Sequence, residues 1–246
     1  MEEKYYQTTW KELRECLNNE TLNLLPINGI FEIHLIVHPD DQQKLFAFSI
    51  EEDILEDKSL INLKTTCALS FHGMYPNQPM LTFWLNNCDS VVATKKAVEV
   101  AEKLDKYNIP VQRLKVEAMA KDIPAMKSEQ HSGANYFEFH FKINTKSKQE
   151  WDKLDTVCLP FGAHLFFNPY SKLSTRMIPV VTLRRYDCDF ETANNECNKL
   201  IKNIEDANFA VIDGKIQREL SIVDTNVFYD QEWLFKEDPR VFITCQ

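Results

Sequence analysis

A chain of 246 residues with 44% hydrophobic residues can form one large domain or two domains of about 100 to 120 residues. Its formal net charge of −9 disfavours general binding to nucleic acid, whose phosphates repel a surface of the same sign. The sequence has no run of about 18 apolar residues and no basic-then-apolar leader, so we expect a cytoplasmic protein without a membrane partner.

Hydrophobic periodicity predicts a strand, helix, strand, strand, helix, strand order in the first half of the chain. The predicted strands cover 30–37, 66–71, 79–85 and 111–119, and the predicted helices cover 39–54 and 90–107. A separate helix is expected near the N-terminus, where Thr9 and Glu12 resemble a capping box.

The second half repeats this order. Its predicted strands cover 136–143, 163–167, 178–186 and 215–223, and its predicted helices cover 147–158 and 189–207. The first strands of the two halves are near copies, "IFEIHLIV" at 30–37 and "YFEFHFKI" at 136–143. The chain therefore reads as an internal duplication.

Two tandem βαββαβ units predict an α+β fold of two ferredoxin-like repeats with pseudo-twofold symmetry. Each repeat would have an antiparallel sheet covered by two helices on one face and open on the other. The expected organisation is an N-terminal helical appendage at 1–28, a first unit at 29–120, a linker at 121–135, and a second unit with a C-terminal extension at 136–246.

Strand alternation assigns a matched set of polar residues to each open face, because successive side chains of a strand point to opposite sides. A ferredoxin-like sheet has the strand order 4-1-3-2, so its first strand lies between the third and fourth. The first set is Glu32, His34, Thr82 and Glu117, and the second is Glu138, His140, Thr182 and Glu219. If the open faces turn toward each other, the two sets line one cleft.

Two readings of this cleft need no proton transfer by histidine. In the first, the polar residues form a buried or solvated network with no chemistry. In the second, His34, Glu117, His140 and Glu219 bind a divalent metal such as zinc, manganese or iron, because imidazole and carboxylate groups suit these ions. That layout loosely resembles the paired modules of the vicinal oxygen chelate enzymes. The resemblance implies His and Glu ligands on the first and last strands.

A third reading is acid–base chemistry with one histidine from each repeat. The layout resembles the 2H phosphoesterases, whose two lobes each carry His-x-Thr/Ser on a strand. That resemblance implies His34 and His140 as general base and general acid on a phosphodiester. Here Ile36 and Lys142 stand two residues after the histidines, while Thr82 and Thr182 are the hydroxyls that we include as catalytic candidates.

A longer resemblance covers residues 30 to about 234. The segments "YFEFHFKI", "GAHLFFNPYS", "TLRRY" and "RELSIVDTNVFYDQEWL" are similar to a family of uncharacterised bacterial two-repeat proteins with Tyr-Phe-Glu-x-His strands. The resemblance implies one repeated architecture and adds His164, Asp224 and Asn226 as candidate site residues. It implies no activity.

The remaining candidate residues are predicted to bind the substrate or are considered as a nucleophile. Arg184, Lys142 and Trp84 are predicted to bind a small anionic substrate, through charge and ring stacking. No Gly-rich phosphate loop occurs among only five glycines, so no nucleotide cofactor is expected. Cys188 lies between two aspartates that oppose thiolate formation.

These patterns favour a hydrolase, phosphoesterase-like or metal-assisted, acting on a small anionic substrate in the cleft. The alternative is a non-catalytic module that binds a small molecule or a protein. A protein partner is an open alternative at the aromatic segment "VFYDQEWLFKEDPRVF" near the C-terminus.

Overall fold

The computed structural model describes residues 9–20, 22–48, 57–73, 75–120, 135–169 and 178–230. The predicted linker, apart from Asn135, lies outside the described residues. The same is true of the C-terminal aromatic segment beyond Asp230 and of the end of the predicted helix at 39–54.

Eight strands and five α-helices lie in the described part of the chain. The strands are β1 Asn28–Val37, β2 Ile61–Ser70, β3 Asn77–Asp89, β4 Val111–Met119, β5 Tyr136–Asn144, β6 Ala163–Phe167, β7 Val180–Tyr186 and β8 Ala210–Asp224. The helices are α1 Trp10–Asn18, α2 Gln42–Phe48, α3 Ser90–Lys106, α4 Lys148–Cys158 and α5 Phe190–Asp206. Short 3-10 turns lie at Pro39–Asp41, Leu159–Phe161 and Val227–Asp230.

The strands form one closed antiparallel barrel in the order β1-β3-β2-β6-β7-β5-β8-β4. The prediction of two tandem ferredoxin-like sandwiches is therefore wrong. The strands that would be the sheet edges pair across the halves, with Ser70 opposite Phe166 and Lys115 opposite Asp224. This pairing covers five residue pairs between β4 and β8 and two between β2 and β6, and it gives these edges backbone partners that two separate sheets would lack.

The helices pack on the outer surface of the barrel. Apolar side chains of the strands, such as Phe31, Ile33 and Phe139, are fully buried in one core with Ala97 of α3 and Leu200 of α5. The polar residues that alternate with them face the barrel interior. Alternation thus placed the two histidines and the two threonines on the interior face, but the predicted open faces line a single enclosed space.

The N-terminal helix has the predicted capping box. The Thr9 hydroxyl accepts a hydrogen bond from Glu12 N at 3.2 Å, and the Glu12 carboxylate accepts one from Thr9 N at 2.6 Å. Trp10 and Leu13 are buried in the common core, and Arg14 pairs with Glu102 of α3 at 3.1 Å. The appendage is thereby docked on α3. Of the described helices, none is long and apolar enough to cross a membrane.

Candidate active site

The barrel encloses a cavity of about 510 Å³ that is lined by side chains from all eight strands. Both predicted histidines, both predicted threonines, Lys142 and Arg184 line it. The volume is in the range of small-molecule sites. Trp84, also predicted to bind substrate, lies half-buried on β3 opposite Glu32 and does not line the cavity.

The first half contributes a threonine, a histidine and two carboxylates in contact. His34 of β1 lies opposite Thr82 of β3 in the sheet, and its Nδ1 is 2.9 Å from the Thr82 hydroxyl oxygen. Its Nε2 faces Glu117 Oε2 at 3.1 Å and Glu32 Oε1 at 3.8 Å. An imidazole between a hydroxyl and a carboxylate is the arrangement by which enzymes activate a hydroxyl.

The second half repeats these contacts. His140 of β5 lies opposite Thr182 of β7, with Nδ1 2.9 Å from the hydroxyl oxygen. Its Nε2 is 3.3 Å from Glu138 Oε2 and 3.8 Å from Glu219 Oε2. Both imidazoles remain partly accessible from the cavity, with side-chain exposures of 18% for His34 and 21% for His140. We call each set a threonine–histidine–carboxylate relay.

Lys115 joins the two relays. Its Nζ lies 2.8 Å from Glu117 Oε1 and 2.6 Å from Glu138 Oε2. Burial acts to lower the pKa of Lys115, but Glu117 and Glu138 hold it well above its usual range. Burial likewise acts to raise the pKa of Glu138, but the Arg184 guanidinium and Lys115 hold it well below its usual range. Lys115 and Glu138 are therefore charged at neutral pH.

The Glu219 carboxyl differs from that of Glu138 in the direction of its pKa shift. Burial, followed by the neighbouring Glu117 and Glu32 carboxylates, raises the pKa of Glu219 well above its usual range. Gln217 Nε2 donates to Glu219 Oε1 at 2.9 Å and to Glu32 Oε2 at 2.5 Å. Protonation of the buried Glu219 would reduce its repulsion with these carboxylates.

Two arginines close one end of the cavity with the turn that follows β8. Asp230 Oδ2 lies 2.7 Å from Arg113 Nη1 and 2.8 Å from Arg184 Nη2, and its Oδ1 accepts from Gln78 Nε2 at 3.0 Å. Arg113 also donates to both carboxylate oxygens of Asp224. The sequence does not indicate this contact of Asp230 with the two arginines, because Asp230 lies in a short turn without hydrophobic periodicity.

The two-repeat resemblance adds three residues, of which His164 neighbours a relay and Asp224 and Asn226 contact other groups. Asp224 accepts from Tyr136 Oη at 2.6 Å as well as from Arg113. The Asn226 side chain donates to the Gln112 carbonyl at 3.4 Å. His164 of β6 is buried opposite Thr182. Asp224 therefore supports the closed end of the barrel.

The interior does not fit a metal centre well. The described residues contain no group of three or more His, Cys, Asp or Glu side chains arranged to hold a metal ion. The four predicted ligands are divided between the relays, and the Lys115 ammonium already contacts Glu117. Metal binding by these residues remains a prediction.

Cys188 does not have the surroundings of a nucleophile. Burial raises its pKa, and Glu196, Asp189 and Asp187 raise it further. These effects favour the thiol over the reactive thiolate.

His164 should make the protein sensitive to acid. Burial, followed by the nearby His72 and Arg184, lowers its pKa from 6.5 to about 4. Between these values the unfolded chain binds a proton that the folded protein does not, so stability falls as pH drops from 6.5 toward 4. The loss attributable to His164 should reach up to about 3 kcal/mol.

Replacing His164 with Gln should flatten that dependence. We expect urea unfolding of His164→Gln to show a smaller difference between pH 7 and pH 4.5 than the wild type. His38→Gln is the control, because His38 is 48% exposed. Parallel pH curves for wild type and His164→Gln would contradict this assignment.

No protein-family model matches the sequence, and no curated protein matches it. Among solved structures, the chain is similar to a provisionally assigned monooxygenase from Fusobacterium nucleatum subsp. nucleatum ATCC 25586. The identity is 10%, the coverage 80% of this chain and 94% of that chain, and the TM-score 0.28. An anthrone oxidase-like protein matches at 11% identity, with 79% and 90% coverage and a TM-score of 0.25. At these TM-scores the similarities assign neither a family nor an activity to this chain.

Proposed function

We propose that this protein is a hydrolase that acts on a small molecule carrying one anionic group, bound in the barrel between the two halves. The observation that carries the proposal is the pair of matched threonine–histidine–carboxylate relays on one cavity. Hydrolysis needs one group to take a proton from water and another to give a proton to the leaving oxygen. Two relays facing one space can supply both.

The contacts of each imidazole fit proton transfer through the threonine hydroxyl. The carboxylate beside Nε2 favours a hydrogen on that nitrogen, which leaves Nδ1 facing the hydroxyl. A neutral imidazole then accepts the hydroxyl proton at Nδ1, and an imidazolium donates one there. Each relay can therefore work as a base or as an acid, according to its protonation.

The proposed reaction is balanced by these two transfers. Water attacks the ester carbon or phosphorus and gives a proton to one threonine oxygen, whose own proton passes to its histidine. The bond to the leaving oxygen breaks, and that oxygen takes a proton from the other threonine, which is reprotonated by its histidine. The products are an acid and an alcohol, and one proton has moved from one histidine to the other.

The charges on the cavity favour a particular orientation of the substrate. Its exposed lysines are Lys64, Lys142 and Lys215, whereas Arg113, Lys115 and Arg184 are buried and already paired with carboxylates. A further anion is repelled by the carboxylates around the histidines but attracted by the exposed lysines. For an ester with a separate anionic group, such as a carboxylate, that group is therefore expected at the lysines and the neutral ester carbonyl at the relays.

The test is a chromogenic screen with bis(p-nitrophenyl) phosphate, p-nitrophenyl phosphate and mono-p-nitrophenyl succinate. We expect wild-type protein to release p-nitrophenol from at least one of them. The His34→Gln/His140→Gln double variant should be slower by at least about 100-fold. His38→Gln should match wild type, because His38 caps the turn at Pro39–Asp41 away from the cavity. Equal rates in wild type and the double variant would exclude the relays as the catalytic groups.

A binding module without catalysis is the second candidate. The observation that favours it is that both nitrogens of each imidazole already contact protein groups, as in a structural network. In that case the same anions would raise the melting temperature of wild-type protein and be recovered unchanged. Release of p-nitrophenol that depends on His34 and His140 would exclude it.

A further inference from the structure

We propose that the open end of the barrel binds a carboxylate, and that the preferred substrate is an ester whose acyl chain ends in that carboxylate. This inference rests on the proposed function and names its substrate class. We call the open end the lysine mouth, after Lys64, Lys142 and Lys215, three exposed residues that line the cavity.

The lysine mouth and the closed end lie on opposite sides of the relay of His140. Along β5, Glu138, His140 and Lys142 face the cavity in succession, and Arg184 lies opposite Glu138. Glu138 and Lys142 are therefore each displaced from His140 by about 7 Å along the strand, in opposite directions. Asp230 closes the end at Arg184, so the exposed lysines mark the end at which a ligand enters.

The duplication matches a cation of the closed end with a cation of the lysine mouth. The strands β4 and β8 pair with each other, and Glu117 of β4 corresponds to Glu219 of β8. Arg113 precedes Glu117 by four residues, and Lys215 precedes Glu219 by four. Both cations line the cavity. Lys215 is therefore the counterpart, at the lysine mouth, of Arg113 at the closed end.

The two matched cations differ in what they contact. Arg113 Nη1 lies 2.7 Å from Asp230 Oδ2, so the closed end contains a carboxylate that the chain itself supplies. Within the described part of the chain, the carboxylate paired with Lys215 is that of Asp213, at 3.7 Å, and both side chains are mostly exposed. Lys142 forms no ion pair with any described residue. The lysine mouth is thus the counterpart of a carboxylate site whose carboxylate a ligand would supply.

The charges in the cavity favour a carboxylate over a phosphate monoester. Glu117 and Glu138 lie beside the two histidines, and their negative charges repel an anion that enters the cavity. A carboxylate carries one negative charge, whereas a phosphate monoester carries about 1.5 to 2 at pH 7. The repulsion is therefore weaker for the carboxylate, and the exposed lysines suffice to hold it.

An apolar surface separates the lysine mouth from the relay of His140. Val180 of β7 lies opposite Lys142, and Phe166 of β6 lies opposite Val180. The Phe166 ring packs edge-to-face on the His140 ring at 5.9 Å, and Ile212 also lines the cavity. A hydrocarbon chain fits this surface, because a polar chain would lose hydrogen bonds to water there.

The ligand that matches the lysines and the apolar surface is the half-ester of an aliphatic dicarboxylic acid. Its carboxylate lies at the lysine mouth, and its ester carbonyl lies at the relays. Because Lys142 is only about 7 Å from His140 along the strand, a few methylene groups connect the two ends. Hydrolysis adds water across the ester bond and gives the dicarboxylic acid and an alcohol.

Binding of the product class can be measured without any reaction. Glutarate titrated into the full chain by calorimetry should bind wild-type protein, with a dissociation constant that rises with sodium chloride, because salt screens exposed charges. The variant Lys142→Met/Lys215→Met should raise the dissociation constant at least about 10-fold. Lys199→Met is the control, because Lys199 is an exposed lysine of α5 that does not line the cavity. No binding to wild type, or equal binding to the double variant, would overturn the proposal.

Diglycolate tests the apolar surface, because it is glutarate with an ether oxygen in place of the central methylene group. We expect it to bind wild-type protein at least about threefold more weakly than glutarate, since burial of a methylene is favourable and burial of an unpaired oxygen is not. Equal or tighter binding of diglycolate would contradict a hydrocarbon chain in the substrate.

Kinetics separate this inference from the proposed function. In wild type, kcat/KM for mono-p-nitrophenyl glutarate should exceed that for the neutral p-nitrophenyl butyrate by at least about 10-fold. The double lysine variant should raise KM for the glutarate ester alone and leave kcat within about twofold. Binding of glutarate through the lysines without hydrolysis of either ester supports the carboxylate site and removes the hydrolase. Hydrolysis of both esters at equal rates keeps the hydrolase and overturns the proposed substrate class.

Discussion

Arg184→Met is expected to lower the free energy of unfolding by about 3–5 kcal/mol, because it removes one partner from a buried ion-pair network. Arg184 Nε donates to Glu138 at 2.5 Å, and its Nη2 donates to Asp230 at 2.8 Å. The guanidinium also stacks on Tyr136 at 4.3 Å from the ring centre. Methionine preserves much of the buried volume but removes the positive charge that neutralises the Glu138 and Asp230 carboxylates. Urea denaturation at pH 7 measures the loss.

The next residue is a matched control. Arg185 has the same chemistry and the same strand but points to the outside of the barrel, where it pairs with Glu196, which is 40% exposed. It also donates to the Phe161 carbonyl at 2.9 Å. Its Nη1 donates to the Arg184 carbonyl at 2.6 Å as well. We expect Arg185→Met to cost roughly 1 kcal/mol, since a surface pair and hydrogen bonds to backbone carbonyls at the rim each contribute little. Equal losses at the two positions would show that burial of the network is not what makes Arg184 important.

The interior of the barrel could be predicted from alternation alone. The period of two assigned Glu32, His34, Thr82 and Glu117 to one face, and the duplication assigned their counterparts in the second half. The sheet neighbours of β1 and β5 then bring each histidine beside its threonine. These predictions succeed because side-chain direction along a strand depends only on local geometry.

Closure of the barrel could not be predicted in the same way. Two sheets and one barrel have the same alternation, and they differ in whether β2 pairs with β6 and β4 with β8. That pairing is made by backbone N–H and C=O groups, which every sequence carries. The extent of β8 was also underestimated. Asp213 and Gly214 have positive φ angles of 58° and 61°, and a turn-like pair inside a long strand looks like a strand end.

The charge difference between the relays was equally hidden. Sequence alternation gives His34 and His140 the same set of neighbours, namely a threonine and two glutamates. What separates them is Arg184, which pairs with Glu138 and has no counterpart in charge at the matched Trp84. A difference of this kind depends on three-dimensional distances among buried charges.

Thr182→Val is expected to lower kcat/KM by about 100 to 10,000-fold on any ester that the wild type hydrolyses. Valine keeps the shape of threonine but removes the hydroxyl that lies 2.9 Å from His140 Nδ1. Without it, no hydroxyl can carry a proton between the substrate or water and His140. The lost hydrogen bond should lower the free energy of unfolding by only about 1 kcal/mol. The variant should therefore stay folded while its activity falls.

Thr182→Ser is the matched control, because serine restores the hydroxyl and lacks only the methyl group. We expect it to retain activity within about 10-fold of wild type, since a hydroxyl near Nδ1 is the group that the relay requires. The pH–rate profile is the decisive readout. In Thr182→Ser the pH–rate profile should keep the shape of the wild-type profile, and in Thr182→Val the profile of the residual rate should differ from it. If valine and serine gave equal rates, Thr182 would only position the imidazole, and water would reach His140 without the hydroxyl.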